Sequence, residues 1–132
     1  MKHRIALTAL AIWLPCASAL AGEVIAHPFV SLSGNDIRDV FLGEKQLAGS
    51  LRLVPVTNSA IQSEFLIKVL QTDERKYQAR WLRKTFREGL PPPQVKGSDT
   101  EVIAFVRSTP GAVGYVSAVG EGTTGVKVLE SF

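Results

Sequence analysis

The chain has 132 residues, of which 45% are hydrophobic and 20% charged, and its 15 basic and 12 acidic residues give a net charge of +3. That length suits one compact domain and excludes a complete two-lobed enzyme or receptor, while the apolar content excludes a disordered chain. The charge excess is too small for the broad basic footprint of a nucleic-acid-binding protein, and Lys2 and Arg4 supply part of it from the extreme N-terminus.

Residues 1–21 read as an export signal. Lys2, His3 and Arg4 form a basic start, Ile5 to Leu14 an almost wholly apolar run, and Ala19-Leu20-Ala21 the small residues at −3 and −1 that signal peptidase requires. Cleavage after Ala21 leaves a domain of residues 22–132 with a balance of +1. Nothing later approaches the roughly 18 consecutive apolar residues of a transmembrane helix, so the expected product is periplasmic and soluble. The sole cysteine, Cys16, lies inside the signal, and Leu14-Pro15 before it makes a poor lipobox. The mature protein is then free of disulfides and thiols. N-terminal sequencing of the exported protein is expected to begin at Gly22; a form beginning at a lipid-modified Cys16 would contradict this.

Glu23 to His27 is the first predicted strand, closed by Pro28. Ser33 with Asp36 resembles a helix N-cap, and Ile37, Val40 and Phe41 follow on one helical face until Gly43. Leu51 to Val56 is the second strand. Ser59-Ala60-Ile61-Gln62 has capping-box spacing and opens a helix with Ile61, Phe65, Leu66, Val69 and Leu70 as its buried stripe. Thr72-Asp73-Glu74 starts a third helix with Tyr77, Trp81, Leu82 and Phe86 on the core side, stopped by Gly89 and Pro91-Pro92-Pro93. Its outer side carries Arg75, Lys76, Arg80, Arg83, Lys84 and Arg87, ordinarily a solvated face although an acidic partner or lipid headgroups would also fit it; Tyr77 and Trp81 already have a core to fill, which argues against membrane insertion. Ser98 to Glu101 is a second capping box, leading to Val102, Phe105 and Val106, and the helix breaks at Thr109-Pro110-Gly111. Two strands close the pattern, Ala112 to Ser117 and Val126 to Leu129, and Gly120 to Gly125 reads as a hairpin turn between them. This alternation predicts an α/β domain. Phe41, Phe65, Trp81, Phe86, Phe105 and Tyr115 are expected to converge on one core.

No catalytic or metal-binding pattern stands out. His27 is the only histidine beyond the signal and has no cysteine to share a metal with. The serines lack a nucleophile-elbow motif, the carboxylates show no paired spacing, and the glycines near 120 lack the Lys-Ser/Thr end of a phosphate loop. The expectation is a non-enzyme without cofactor or metal.

Ser31-Leu32-Ser33 leading to Val40-Phe41-Leu42-Gly43, then Val54-Pro55-Val56, Phe65, Trp81, Phe86, Ser98-Asp99, Phe105-Val106 and Pro110-Gly111-Ala112-Val113-Gly114-Tyr115-Val116 together form an ordered series. It resembles the phosphate ABC transporter substrate-binding proteins, and more closely the short, exported, single-lobe members of the type 2 periplasmic-binding superfamily. The resemblance covers nearly all of residues 22–132. It implies a single α/β lobe of that fold, a mixed sheet with helices on both faces, and a solute-binding function with an envelope or ABC transporter protein as partner. In the full receptors the segment after the strand equivalent to Val54-Pro55-Val56 carries an Arg and a Ser-Gly-Thr turn. Here Thr57 to Ser63 has neither.

Helix N-termini offer unpaired N–H groups and the positive end of a dipole. Thr57, Asn58 and Ser59, with Ser98 nearby, are therefore the candidate residues for a weakly held phosphate or other small anion. The competing reading is that Ser59 and Ser98 only cap their own helices, in an interaction or structural protein that has lost its ligand.

Overall fold

The computed structural model describes residues 9, 11, 12, 20–118 and 125–132. Most of the expected signal and the glycine-rich stretch 120–124 lie outside the described residues. The strands and helices are β1 (Glu23–Ala26), α1 (Gly34–Phe41), β2 (Leu47–Ala48), β3 (Leu51–Arg52), β4 (Val54–Asn58), α2 (Gln62–Phe65), α3 (Glu74–Glu88), β5 (Gln94–Lys96), α4 (Asp99–Ser108), β6 (Ala112–Val116) and β7 (Lys127–Ser131). A wider π-helical turn, Leu66–Leu70, continues α2.

Five strands form one mixed sheet in the order β5-β4-β6-β1-β7, and β2 with β3 form a small separate hairpin. β4 runs parallel to β5 and to β6, whereas β1 is antiparallel to both β6 and β7. The last two strands therefore do not pair with each other, because β1 lies between them. The strands expected to form a hairpin are thus not neighbours, and the turn expected between them, at residues 120–124, lies outside the described residues. Three residues opposite β4 also form a strand, β5, directly after the proline run. Three residues are too few to show a period, so the sequence pattern missed it.

The pleat distributes side chains to two layers. Val24 and Ala26 of β1 and Val113 and Tyr115 of β6 face α1, α2 and α3, while Ile25, Val56, Ala112 and Val116 face α4. Helices on both faces of a mixed sheet are as expected from the sequence. In the larger core, Phe65 stacks on Tyr115 with ring centroids 3.8 Å apart, and Phe41 meets Phe65 edge-on at 4.8 Å. Trp81 joins them, and so does Phe132. Two of the expected core aromatics behave otherwise. Phe105 packs partly buried against the α4 layer, and Phe86 is 91% exposed. Leu82 is likewise 73% exposed, because Tyr77 and Trp81 alone define the buried side of α3 and the Leu82–Phe86 row lies away from it.

α3 is tied to α1 by an orphan carbonyl. The last turn of a helix leaves C=O groups unpaired, and the Phe41 carbonyl accepts from both the Tyr77 hydroxyl (2.9 Å) and the Trp81 Nε1–H (3.0 Å). Burial pushes the Tyr77 hydroxyl up to about 12. Outside this contact, Glu44 accepts from Arg80 and Lys84, and these hydrogen bonds, that of Lys84 foremost, hold its carboxyl below the ordinary range.

Candidate functional site

The three parallel strands β4, β5 and β6 end at the same edge of the sheet, where open α/β sheets offer a crevice at their carboxyl ends. α4 begins immediately after β5, so its N-terminus meets the ends of β4 and β6 there. This follows from the sequence: Lys96 ends β5, Gly97 turns, and Ser98 caps α4 by accepting the Glu101 N–H at 3.3 Å. The Gly97 N–H donates in return to the Glu101 carboxylate at 2.8 Å.

Asn58, fully buried at the end of β4, organises the corner. Its Nδ2 donates to Asp99 Oδ1 at 2.8 Å and to the Tyr115 carbonyl at 3.1 Å, and its Oδ1 accepts from the Ala60 N–H at 3.1 Å. Asp99, the first residue of α4, also accepts from the Ser117 N–H at 3.1 Å and from the Ser117 hydroxyl. Burial is the largest single influence on the Asp99 carboxyl and pulls its pKa upward, but the hydrogen bonds from Ser117, Asn58 and the Ala118 N–H together hold it below its ordinary value. An ionised carboxylate thus already sits among the donors at the head of α4.

The four residues expected to bind an anion divide between two faces. Asn58 and Ser98 belong to this corner. Thr57 points to the opposite face, where its hydroxyl donates to the Gln94 carbonyl at 3.3 Å and its side chain lines a groove of about 340 Å³ against α3. Ser59 is exposed, and its N–H donates to the Lys96 carbonyl at 2.9 Å.

Ser59 is also not the helix cap that its spacing suggested. The helix starts at Gln62 with Ile61 in the capping position and no side-chain cap. The physical reason is Asn58: its side-chain oxygen takes the Ala60 N–H and closes a local turn, an alternative to helix that Asn readily offers the backbone. No helix N-terminus therefore stands at Thr57 to Ser59. Asp99 and Ser117 are the residues that sequence reasoning left out. The capping box identified Ser98 and Glu101, but nothing in spacing alone could join Asp99 to Asn58 and Ser117, 41 and 18 residues away.

Among the described residues no group of three His, Cys, Asp or Glu side chains could hold a metal ion, and no helix is long and apolar enough to cross a membrane. His27 accepts the Phe29 N–H on Nδ1 at 3.1 Å, fixing the turn after β1.

No family model matches this chain, and no curated protein matches it. Among solved structures, an ABC-type phosphate transport receptor from Vibrio cholerae is similar, with a TM-score of 0.50 and 15% identity over 84% of this chain. The fold is that of one periplasmic-binding-protein-like lobe. The match takes in 46% of the receptor, so this lobe corresponds to under half of that protein's length.

Proposed function

We propose that this is a non-catalytic, exported binding module built on a solute-receptor lobe, whose small-anion corner is filled by its own Asp99 and which acts through a protein partner in the envelope. The observation that carries this reading is the Asp99 carboxylate on Asn58 and Ser117. A phosphate reaching the same donors meets a like charge. At about 4 Å and an effective dielectric near 20 that repulsion is on the order of 4 kcal/mol. The Arg and the Ser-Gly-Thr turn that would offset it are missing from Thr57 to Ser63. A charge-assisted Arg pair contributes about 1.5 to 3 kcal/mol, or one to two decades of affinity.

The second reading is a weak phosphate-like site, of whose four expected residues Asn58 and Ser98 stand in this corner while Thr57 faces the opposite side; it is favoured by the corner's position at the carboxyl ends of parallel strands. Titration calorimetry with phosphate, sulfate and acetate at neutral pH separates the two. The self-filled corner gives no measurable binding with any of them, whereas millimolar phosphate binding would favour the weak site. Micromolar phosphate binding would favour the solute-receptor reading instead.

A further inference from the structure

α3 is amphipathic in an unusual way. One side buries Tyr77 and Trp81, yet a second row, Ala79, Leu82 and Phe86, at i, i+3 and i+7, faces solvent. Beside this row lies the groove between α3 and β5, with Tyr77 and Thr57 at its floor and Pro92, Pro93 and the 65% exposed Val95 along its far wall. Thr85 lines it too, and the Thr85 hydroxyl oxygen has no hydrogen-bond partner among the described residues.

The charges around the row fall into two groups. Arg80 and Lys84 are occupied by Glu44, with Glu88 also on Lys84, and Lys76 stands 4.0 Å from Asp73. Arg75, Arg83 and Arg87 are exposed and make no ion pair with any described residue. Arg75 precedes Ala79 by one helical turn on the same row, and Arg83 and Arg87, themselves one turn apart, border it on the side away from the groove, in a hollow shared with Glu44, Arg80, Lys84 and Glu88.

We infer that this face docks an acidic, amphipathic segment of a partner protein, with its apolar side chains against Leu82 and Phe86 and in the groove, and its carboxylates on Arg75, Arg83 and Arg87. Charge complementarity selects this occupant: guanidinium groups pair with carboxylates in a planar, two-point geometry. The concave shape favours a polypeptide over an anionic bilayer, because a bilayer surface would reach Leu82 and Phe86 but not the groove floor at Thr57 and Tyr77. The rigid Pro91-Pro92-Pro93 run holds the far wall before any partner arrives, which lowers the ordering cost of binding. The inference rests on the protein-partner reading and gives it a surface and a chemistry.

The test uses the full chain and a fluorescent synthetic helix-forming peptide carrying Leu and Phe on one face and Glu on the other, its Lys counterpart, and vesicles of phosphatidylserine with phosphatidylcholine. The acidic peptide binds and the Lys peptide does not. Leu82→Ser with Phe86→Ser lowers affinity at least tenfold, and Arg83→Gln with Arg87→Gln does the same while flattening the salt dependence. All four side chains are exposed, so the melting temperature of both variants stays near that of the wild type. Absence of acidic-peptide binding, equal binding of both peptides, or vesicle binding lost in the Leu82/Phe86 variant would each overturn the proposal. A concentration-dependent dimer lost in that variant would do so as well. None of these variants touches Asp99, so failure here with phosphate still silent removes only the docking surface, whereas micromolar phosphate binding removes the underlying reading.

Discussion

Trp81→Ala is expected to cost about 3 to 5 kcal/mol, the range for removing a buried large aromatic. Trp81 is 6% exposed at the junction of α3 and the larger core, and its indole N–H helps satisfy the Phe41 carbonyl. The Tyr77 hydroxyl remains on that carbonyl after the substitution, so the loss comes chiefly from the cavity and the vanished apolar contact. Domains of this size have a total stability of roughly 5 to 15 kcal/mol. Thermal melting should therefore fall by on the order of 15 °C, or the protein should fail to fold. Phe86→Ala on the same helix supplies the contrast. Phe86 is 91% exposed, and its loss should leave the melt within about 0.5 kcal/mol of the wild type. Equal melts for Trp81→Ala and the wild type would mean that the packing of α3 is wrong.

Gly111→Ala should be comparably damaging for a different reason. Gly111 sits at φ +88 in the turn between α4 and β6, and a Cβ there would lie 2.0 Å from the Arg52 carbonyl oxygen. The left-handed backbone alone costs an L-residue roughly 1 to 2 kcal/mol. The clash is with backbone, so relief requires moving the β3–β4 connection, and with it the bond from the Val54 N–H to the Gly111 carbonyl. Gly49→Ala is the control. It has φ +63 with nothing within 4 Å of the added Cβ, so it should lose only the conformational part. Urea unfolding should rank Gly111→Ala well below Gly49→Ala, and equal midpoints would show that the turn is free to relax.

These two residues also show why part of the molecule could be read from its sequence. In Pro110 to Val116 the helix stop at Pro110-Gly111 and the strand after it were legible from local pattern, whereas the fit of Gly114 and Tyr115 to distant neighbours was not. Gly111 makes the turn, and Gly114 leaves room for Val56 and Val102, whose methyl groups would lie 2.8 Å from a Cβ. Tyr115 stacks on Phe65. α1 and α4 were legible for the same reason, since their caps and apolar rows lie within one or two turns of sequence.

What escaped was non-local or too short. The apolar row through Leu82 and Phe86 has a regular helical spacing, and periodicity cannot say which of two apolar rows on a helix meets the core. β5 has three residues and no pattern. The order β6-β1-β7 depends on pairings across the whole domain, so the two last strands looked like neighbours when β1 separates them. At the candidate site, Ser98 was found through its capping role, whereas Asp99 acquires its partners only when β4 and β6 bring Asn58 and Ser117 to the head of α4. The Asn58 turn likewise displaced the helix start from Ser59 to Gln62 by a side-chain hydrogen bond that competes with the capping pattern.

Whether the chain's own carboxylate fills its anion corner is decided by titrating phosphate into the wild type and into Asp99→Asn side by side. Asn keeps one oxygen for the N–H donors of Asn58 and Ser117 and puts an NH2 in place of the other, to which the Ser117 hydroxyl must turn from donor to acceptor, while the charge is removed. The wild type should show no binding tighter than millimolar, and Asp99→Asn should bind at least tenfold more strongly, since each tenfold corresponds to about 1.4 kcal/mol of relieved repulsion. Equal affinities in the two proteins, or micromolar binding by the wild type, would contradict it.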